Sequence, residues 1–446
     1  MTHFGRRRTG RPSGKTPEAD GITRHSPRPR HPATPPPRRP ARHLEFAMPI
    51  APPLAPMVAR LEGGPAAAWA VTLRGEAEKR RGRAILDLGV GDPDFATPPV
   101  IVEAMERAVR AGRTHYAPAE GEPALREAIA RTTAASTGTA VDPAQVHVFP
   151  GAQAALFATL MVTVAPGDEV IVLDPVYTTY PRCILAIGAV PVTVPLDPAE
   201  GFALDVGRIE AAITPKTRAV MINSPGNPTG AVFEAAAIDA LAALCTDRGL
   251  WLVSDEVYAG LVLDGSHHSP LASPAGAATT IVVNSLSKSH AMTGWRIGWA
   301  VAPLPVAKAL RSLSSSLLYG VNQFVQDAAV TALTDPVAIA AAAAMTTRIR
   351  TRRDAFVQAL ATSNTVRCHV PQGGMFVLVD VTGTGQSGID FADGLLDQEA
   401  MVVVPGEAFG AASARHLRVG LMAEPATLID AASRLSRHAG RSGAQR

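Results

Sequence analysis

The chain has 446 residues, 47% hydrophobic and 18% charged, enough to bury a large core and to form two or three domains, and it reads as a soluble globular enzyme. Its three cysteines, Cys183, Cys245 and Cys368, are odd in number, widely spaced and in no metal-ligand pattern, which argues against a disulfide framework and for a reducing, cytoplasmic setting. The formal charge of +3 is unevenly spread: residues 1–47 hold eleven Lys or Arg against Glu18, Asp20 and Glu45, a net +8, leaving −5 on the remainder.

That basic segment is dominated by Arg, Pro, His, Gly and Thr and lacks the large aliphatic residues needed to fold, so a disordered tail is expected. Arg6-Arg7-Arg8 is followed by no apolar stretch of the kind a secretory signal requires. A start assigned upstream of a true beginning at Met48 and a nucleic-acid-binding basic arm are the two readings of it. Uncharged runs such as Gly151–Gly167 contain Gln, Pro and Gly and fall short of the roughly 18 to 20 apolar residues of a spanning helix, so no membrane segment is expected.

Met57–Leu61 and Trp69–Lys79 read as an arm and a first helix, and Ala84–Leu88 as a strand entering the turn Gly89-Val90-Gly91-Asp92-Pro93-Asp94-Phe95. Val100–Arg110 is an amphipathic helix closed by Gly112, with Tyr116 in the loop beyond it. Seven β-branched runs follow: Gln145–Phe149, Glu169–Leu173, Val190–Val194, Ala219–Asn223, Trp251–Ser254, Ile281–Asn284 and Ile297–Val301. Most are separated by enough helix-forming sequence for a crossover. This predicts an α/β fold with a mostly parallel seven-stranded sheet between helices, plus a smaller α+β domain. Only a loop separates the last two runs, so one strand should be antiparallel.

Polar motifs fall where these strands end, the usual place for ligands in such sheets. Gly151, Ala152 and Gln153 open the helix Ala154–Val164, so their backbone N–H groups suit an anion. Tyr177 and Tyr180 end the second strand; Asn223–Gly230 is a loop rich in turn residues; Asp255 closes a buried strand, where a carboxylate needs a partner. Lys288 sits among hydroxyls after the apolar run Ile281–Val283, where desolvation and nearby Arg296 lower an amine pKa and favour Schiff-base chemistry. Ser285, Ser287 and the Arg296 fork can hold a phosphate dianion beside it. Helices follow, an Ala-rich Val337–Ala344 and an amphipathic Arg348–Leu360, and then an alternating strand carries Arg418.

The segment Asn284–Arg296 closely resembles the lysine signature of class I aminotransferases, the pyridoxal phosphate (PLP) enzymes of fold type I. Gly91-Asp92-Pro93-Asp94-Phe95, Asn223–Gly230, Asp255–Tyr258, Pro371–Phe376, Val404–Gly410 and His416–Gly420 are similar to further family motifs, and the resemblance runs from about Met57 to Arg437. It implies that PLP attaches to Lys288, which then moves the proton at the substrate Cα. It further implies that Asp255 holds the ring nitrogen, that Tyr258 and Asn227 meet the phenolic oxygen, and that Tyr177 stacks on the ring, with Tyr180 as a rival. Arg418, Asn227 and the backbone at Gly91 would meet the substrate carboxylate, while Tyr116 would reach the phosphate of a partner subunit, which implies a homodimer with shared active sites. Glu256 is expected to point away from the site.

The implied division is a tail (1–47), an arm and part of the small domain (48–95), a large PLP-binding domain (96–340), the rest of the small domain (341–437) and a flexible tail (438–446). The implied activity is transfer of an amino group from an L-amino acid to a 2-keto acid such as pyruvate. Thr114–Ala117, Asn284–Trp295, Leu318-Tyr319-Gly320 and Gly406–Gly410 look most like arginine–pyruvate transaminases, with Glu120 as the candidate acid for a guanidinium. Alternatives of the same fold are an aspartate or aromatic aminotransferase using 2-oxoglutarate and a lyase or cyclase. A PLP-sensing regulator is the alternative of another class, but it requires a DNA-binding domain of roughly 60 or more residues ahead of the fold. No metal and no nucleic-acid partner are expected.

Overall fold

Strand β1 (Leu86–Asp87) follows two helices, Pro56–Glu62 and Ala66–Arg80. In the computed structural model the described residues are Pro52, 54–62 and 66–443, so the expected tail 1–47 lies outside them. From Leu54 onward the chain is one compact unit.

All seven β-branched runs are strands of one sheet: β2 (Val146–Phe149), β3 (Glu169–Asp174), β4 (Val190–Pro195), β5 (Thr217–Asn223), β6 (Trp251–Asp255), β7 (Thr280–Ser285) and β8 (Gly298–Val301). Their order is β2-β8-β7-β6-β5-β3-β4. Strand β8 is antiparallel to both its neighbours and the other pairings are parallel, as the short β7–β8 connection requires. Because successive side chains of a strand point to opposite faces, each strand feeds two cores. Val170, Val172, Met221 and Val253 pack on one face with the helix Ala152–Thr163; Ile171, Leu173, Val220 and Leu252 pack on the other. Each fully buried aliphatic side chain contributes roughly 1.5–3 kcal/mol of transfer free energy, so sequestering both faces is what fixes the register.

A second sheet joins β9 (Arg367–Cys368), β10 (Phe376–Asp380), β12 (Val404–Pro405) and β13 (His416–Gly420) in the order β12-β13-β10-β9, all antiparallel. Strand β11 (Met401–Val402) pairs instead with β1. Thus the segment leading to Gly91 is tied to the C-terminal part of the chain, a link reinforced by the bond from Gly420 N to Leu88 O at 2.7 Å.

Two expectations are corrected. Val337–Ala344 and Arg348–Leu360 are not separate helices but parts of one, Pro336–Leu360, so the expected division at residue 340 falls inside a continuous element. Thr346 and Thr347 lie within that helix and donate their hydroxyls to the carbonyls of Ala342 and Ala343. The chain beyond Arg437 is also not a flexible tail throughout: the last helix runs Pro425–Gly443 and buries His438 and Ala439. Among the described residues no single helix is long and apolar enough to cross a membrane; Gln323–Thr334 and Pro336–Leu360 reach that composition only as a pair bent by 73°.

Candidate active site

A cavity of about 170 Å³ opens where β5, β6 and β7 end, lined by Tyr177, Asn227, Asp255, Tyr258, Lys288 and Arg296 among others. Strand register does most of the positioning. Asn223 and Asp255, the last residues of β5 and β6, lie opposite each other, and both face the cavity together with Ser285, the last residue of β7. Lys288 follows in the loop after β7, where its Nζ donates to the carbonyl of Gly91 at 2.6 Å. Burial lowers its pKa most; the charge of Asp92 opposes that, and Arg418 and Arg296 add to it.

Asp255 is 3% exposed. Tyr180 donates its hydroxyl to Oδ2 at 2.6 Å and the Val257 amide donates to Oδ1 at 3.1 Å. Burial nevertheless pushes the carboxyl up to about 6, against these two bonds. Tyr180 is therefore bonded to Asp255, while Tyr177 packs edge-on against Tyr180, with centroids 5.4 Å apart, and both line the cavity. The sequence could not separate these two tyrosines, and it gave no sign that Tyr180 bonds Asp255.

Asn223 is another residue the motif reading left without a role. Its Nδ2 donates to the Asp255 carbonyl at 2.9 Å and its Oδ1 accepts from the Asn227 amide at 2.8 Å, so it fixes Asn227. The Asn227 side chain in turn meets Tyr258 Oη at 3.5 Å and accepts from Arg418 at 3.2 Å. Tyr258 is buried, which pushes its hydroxyl well above the ordinary phenol range.

Arg418 sits mid-sheet on β13, opposite Leu378 and Val404, and donates to Gly89 O at 2.7 Å. Its guanidinium lies 4.2 Å from the Phe376 ring centroid and 4.9 Å from that of Phe409. No carboxylate pairs with it among the described residues, its Nε is buried without a partner, and burial drives its pKa down to about 10. A buried cation with unspent donors suits an anion that arrives from solution.

The anion cradle takes shape at the helix Ala152–Thr163. Gly151 caps its N-terminus at φ 90°, and a Cβ there would strike the Arg296 guanidinium. Arg296 donates to Thr293 O at 2.9 Å, and Ser285 and Ser287 lie buried beside it. The free N–H groups of the first helical turn, at Ala152 and Gln153, face the same cavity. The Gln153 side chain is engaged with Thr179 and Cys183.

Two sequence candidates lie elsewhere. Tyr116 is 84% exposed and packs near Tyr319 with centroids 5.8 Å apart, away from the Lys288 cavity. Glu120 is engaged by Arg126 at 3.8 Å and Arg311 at 3.4 Å, so it is not a free acid for a substrate. Glu256 points away as expected, held by Ser254, Ser269 and His267.

The cavity therefore combines an anion cradle, a partly desolvated amine, one buried acid, an aromatic face and an unpaired guanidinium. These groups fit PLP: the cradle suits its phosphate, the acid its ring nitrogen and the amine its aldehyde. Residues 83–435 match the family model described as aminotransferase class I and II. The chain is 46% identical over 377 residues to arginine–pyruvate transaminase AruH of Pseudomonas aeruginosa, covering 84% of this chain and 95% of that protein. It is 38% identical to aspartate/prephenate aminotransferase of Thermus thermophilus, over 84% and 97% of the two chains. The solved aspartate aminotransferase of Thermus thermophilus with maleate superposes with a TM-score of 0.82 at 36% identity, covering 87% of this chain and all of that one. The chain belongs to the class I and II aminotransferases and is a PLP-dependent transaminase.

Proposed function

We propose that this transaminase moves the amino group of an L-amino acid with a cationic or long neutral side chain to pyruvate. What carries the reading is the 46% identity to an arginine–pyruvate transaminase over nearly the whole of both chains, against 38% or 39% for the aspartate/prephenate aminotransferases of Thermus. An aspartate-type enzyme using 2-oxoglutarate is the second reading, favoured by the fold neighbours. Assays of a donor panel with pyruvate and 2-oxoglutarate as separate acceptors decide between them. Arginine and long neutral donors with pyruvate should dominate; activity confined to aspartate with 2-oxoglutarate refutes the proposal.

Bound PLP supplies an electron sink for the electrons released when the substrate Cα loses its proton. The roles of the chain's own residues follow from charge and position. The α-carboxylate docks on Arg418 and Asn227, beside the backbone of Gly89 and Gly91. Lys288 would anchor the cofactor, and its lowered pKa makes the neutral amine available to take the Cα proton on Nζ. Asp255, fixed by Tyr180, would hold a proton on the ring nitrogen. Tyr258 and Asn227 would bond the phenolic oxygen, Tyr177 would stack on the ring, and Gly151, Ala152, Gln153, Ser285 and Arg296 would hold the phosphate.

The exposed Tyr116 supports a homodimer in which that residue completes the partner's phosphate site. The helix Pro336–Leu360 then bridges a large domain that precedes it and a small one formed by the segment around β1 and the chain that follows the helix. The chain's cysteine pattern supports a cytoplasmic setting.

A further inference from the structure

A donor that ends in a guanidinium needs an anion at the far end of its side chain. The carboxylates whose charges bear on the ionisable groups of the site are Asp255, Glu256 and Asp92. Asp255 is buried and bonded to Tyr180, and Glu256 is held on the far side by two serines and His267. Asp92 is exposed and forms no hydrogen bond or ion pair among the described residues.

The backbone that leads to Asp92 meets both cationic groups that a donor must reach. Gly89 O receives Arg418 at 2.7 Å, and Gly91 O receives Lys288 at 2.6 Å. A donor held between Arg418 and Lys288 thus lies against residues 89 to 91, immediately before Asp92 in the chain. Asp94, the next acid, is unavailable because Arg352 clamps both its oxygens at 2.7 and 2.9 Å. That clamp and the Lys288 contact fix the chain on either side of Asp92, with Pro93 between, and the free carboxylate lies within electrostatic reach of Lys288. We propose that Asp92 is the specificity-determining residue that receives the distal cation of the donor. This rests on the cationic-donor reading of the site.

The test compares L-arginine with L-citrulline, its neutral near-isostere, as donors to pyruvate in the wild-type holoenzyme and in Asp92→Asn. Any general effect of the lost charge on Lys288 falls on both donors and cancels in the ratio of their kcat/KM values. Asp92→Asn should lower the arginine-to-citrulline ratio about tenfold, the scale of one charge-assisted contact, and Asp92→Glu should restore much of it. Calorimetric binding of 5-guanidinopentanoate, which lacks an amino group and cannot react, should weaken in parallel. A wild-type preference for arginine that survives intact in Asp92→Asn overturns the assignment of Asp92 alone. A wild-type ratio near one overturns the cationic-donor reading and the assignment with it.

Discussion

Asp255 meets two conflicting demands: to hold the proton of a bound ring nitrogen it must be ionised, yet it is buried where ionisation is costly. Burial raises its pKa to about 6 in the protein alone, from an ordinary 3.8. Between those values the folded chain binds more protons at this site than the unfolded chain does, so its contribution is fully present below pH 3.8 and is lost as pH rises through about 6. At pH 7 the penalty is on the order of 3 kcal/mol, since each tenfold change in proton affinity is worth about 1.4 kcal/mol. Asp255→Asn should therefore stabilise the cofactor-free protein by up to about 3 kcal/mol at pH 7 and by almost nothing at pH 4, while its transaminase rate falls by orders of magnitude. Urea unfolding at the two pH values checks this; equal effects at both would show that burial of the charge is not the cause.

At the scale of elements, the helix Ala152–Thr163 begins without a side-chain cap, which leaves its first N–H groups for an anion. Gly151→Ala strains a backbone at φ 90° and drives a methyl group into Arg296, so the mutant should bind PLP at least tenfold more weakly while keeping its fold. Fluorescence titration with PLP checks it, and unchanged affinity would remove Gly151 from the cradle. Much at this scale was legible in the sequence. The seven strands were legible because β-branched runs bounded by Gly, Pro and Asn have few other uses, and the antiparallel β8 because the loop after Ser285 is too short for a crossover. The continuity of Pro336–Leu360 was not, since Ala-rich and amphipathic halves differ in pattern although they share one helix. Nor was the fate of Glu120, neutralised in part by Arg311, nearly two hundred residues away. The place of Tyr180 was hidden for a similar reason: its bond to Asp255 spans 75 positions and leaves no local pattern.

On the scale of the whole molecule, Tyr116 and Tyr319 stand 84% and 67% exposed beside each other, an unusual amount of aromatic surface to leave in water. A homodimer of twice 46.4 kDa should form in sedimentation equilibrium. If Tyr116 serves the partner's site, Lys288→Ala and Tyr116→Ala chains expressed together should form mixed dimers with one intact site. Tight PLP binding and turnover should then recover in the mixed dimer, whereas a Tyr116 acting within its own subunit would give no recovery.

The central claim is that this fold brings PLP to Lys288, and reduction of the holoenzyme with borohydride followed by peptide mass mapping tests it most directly. The pyridoxyl group should appear on the peptide containing Lys288 and vanish in Lys288→Ala. Labelling at Lys15, Lys79, Lys216 or Lys308 in its place, or a persistent adduct in the mutant, would contradict the account.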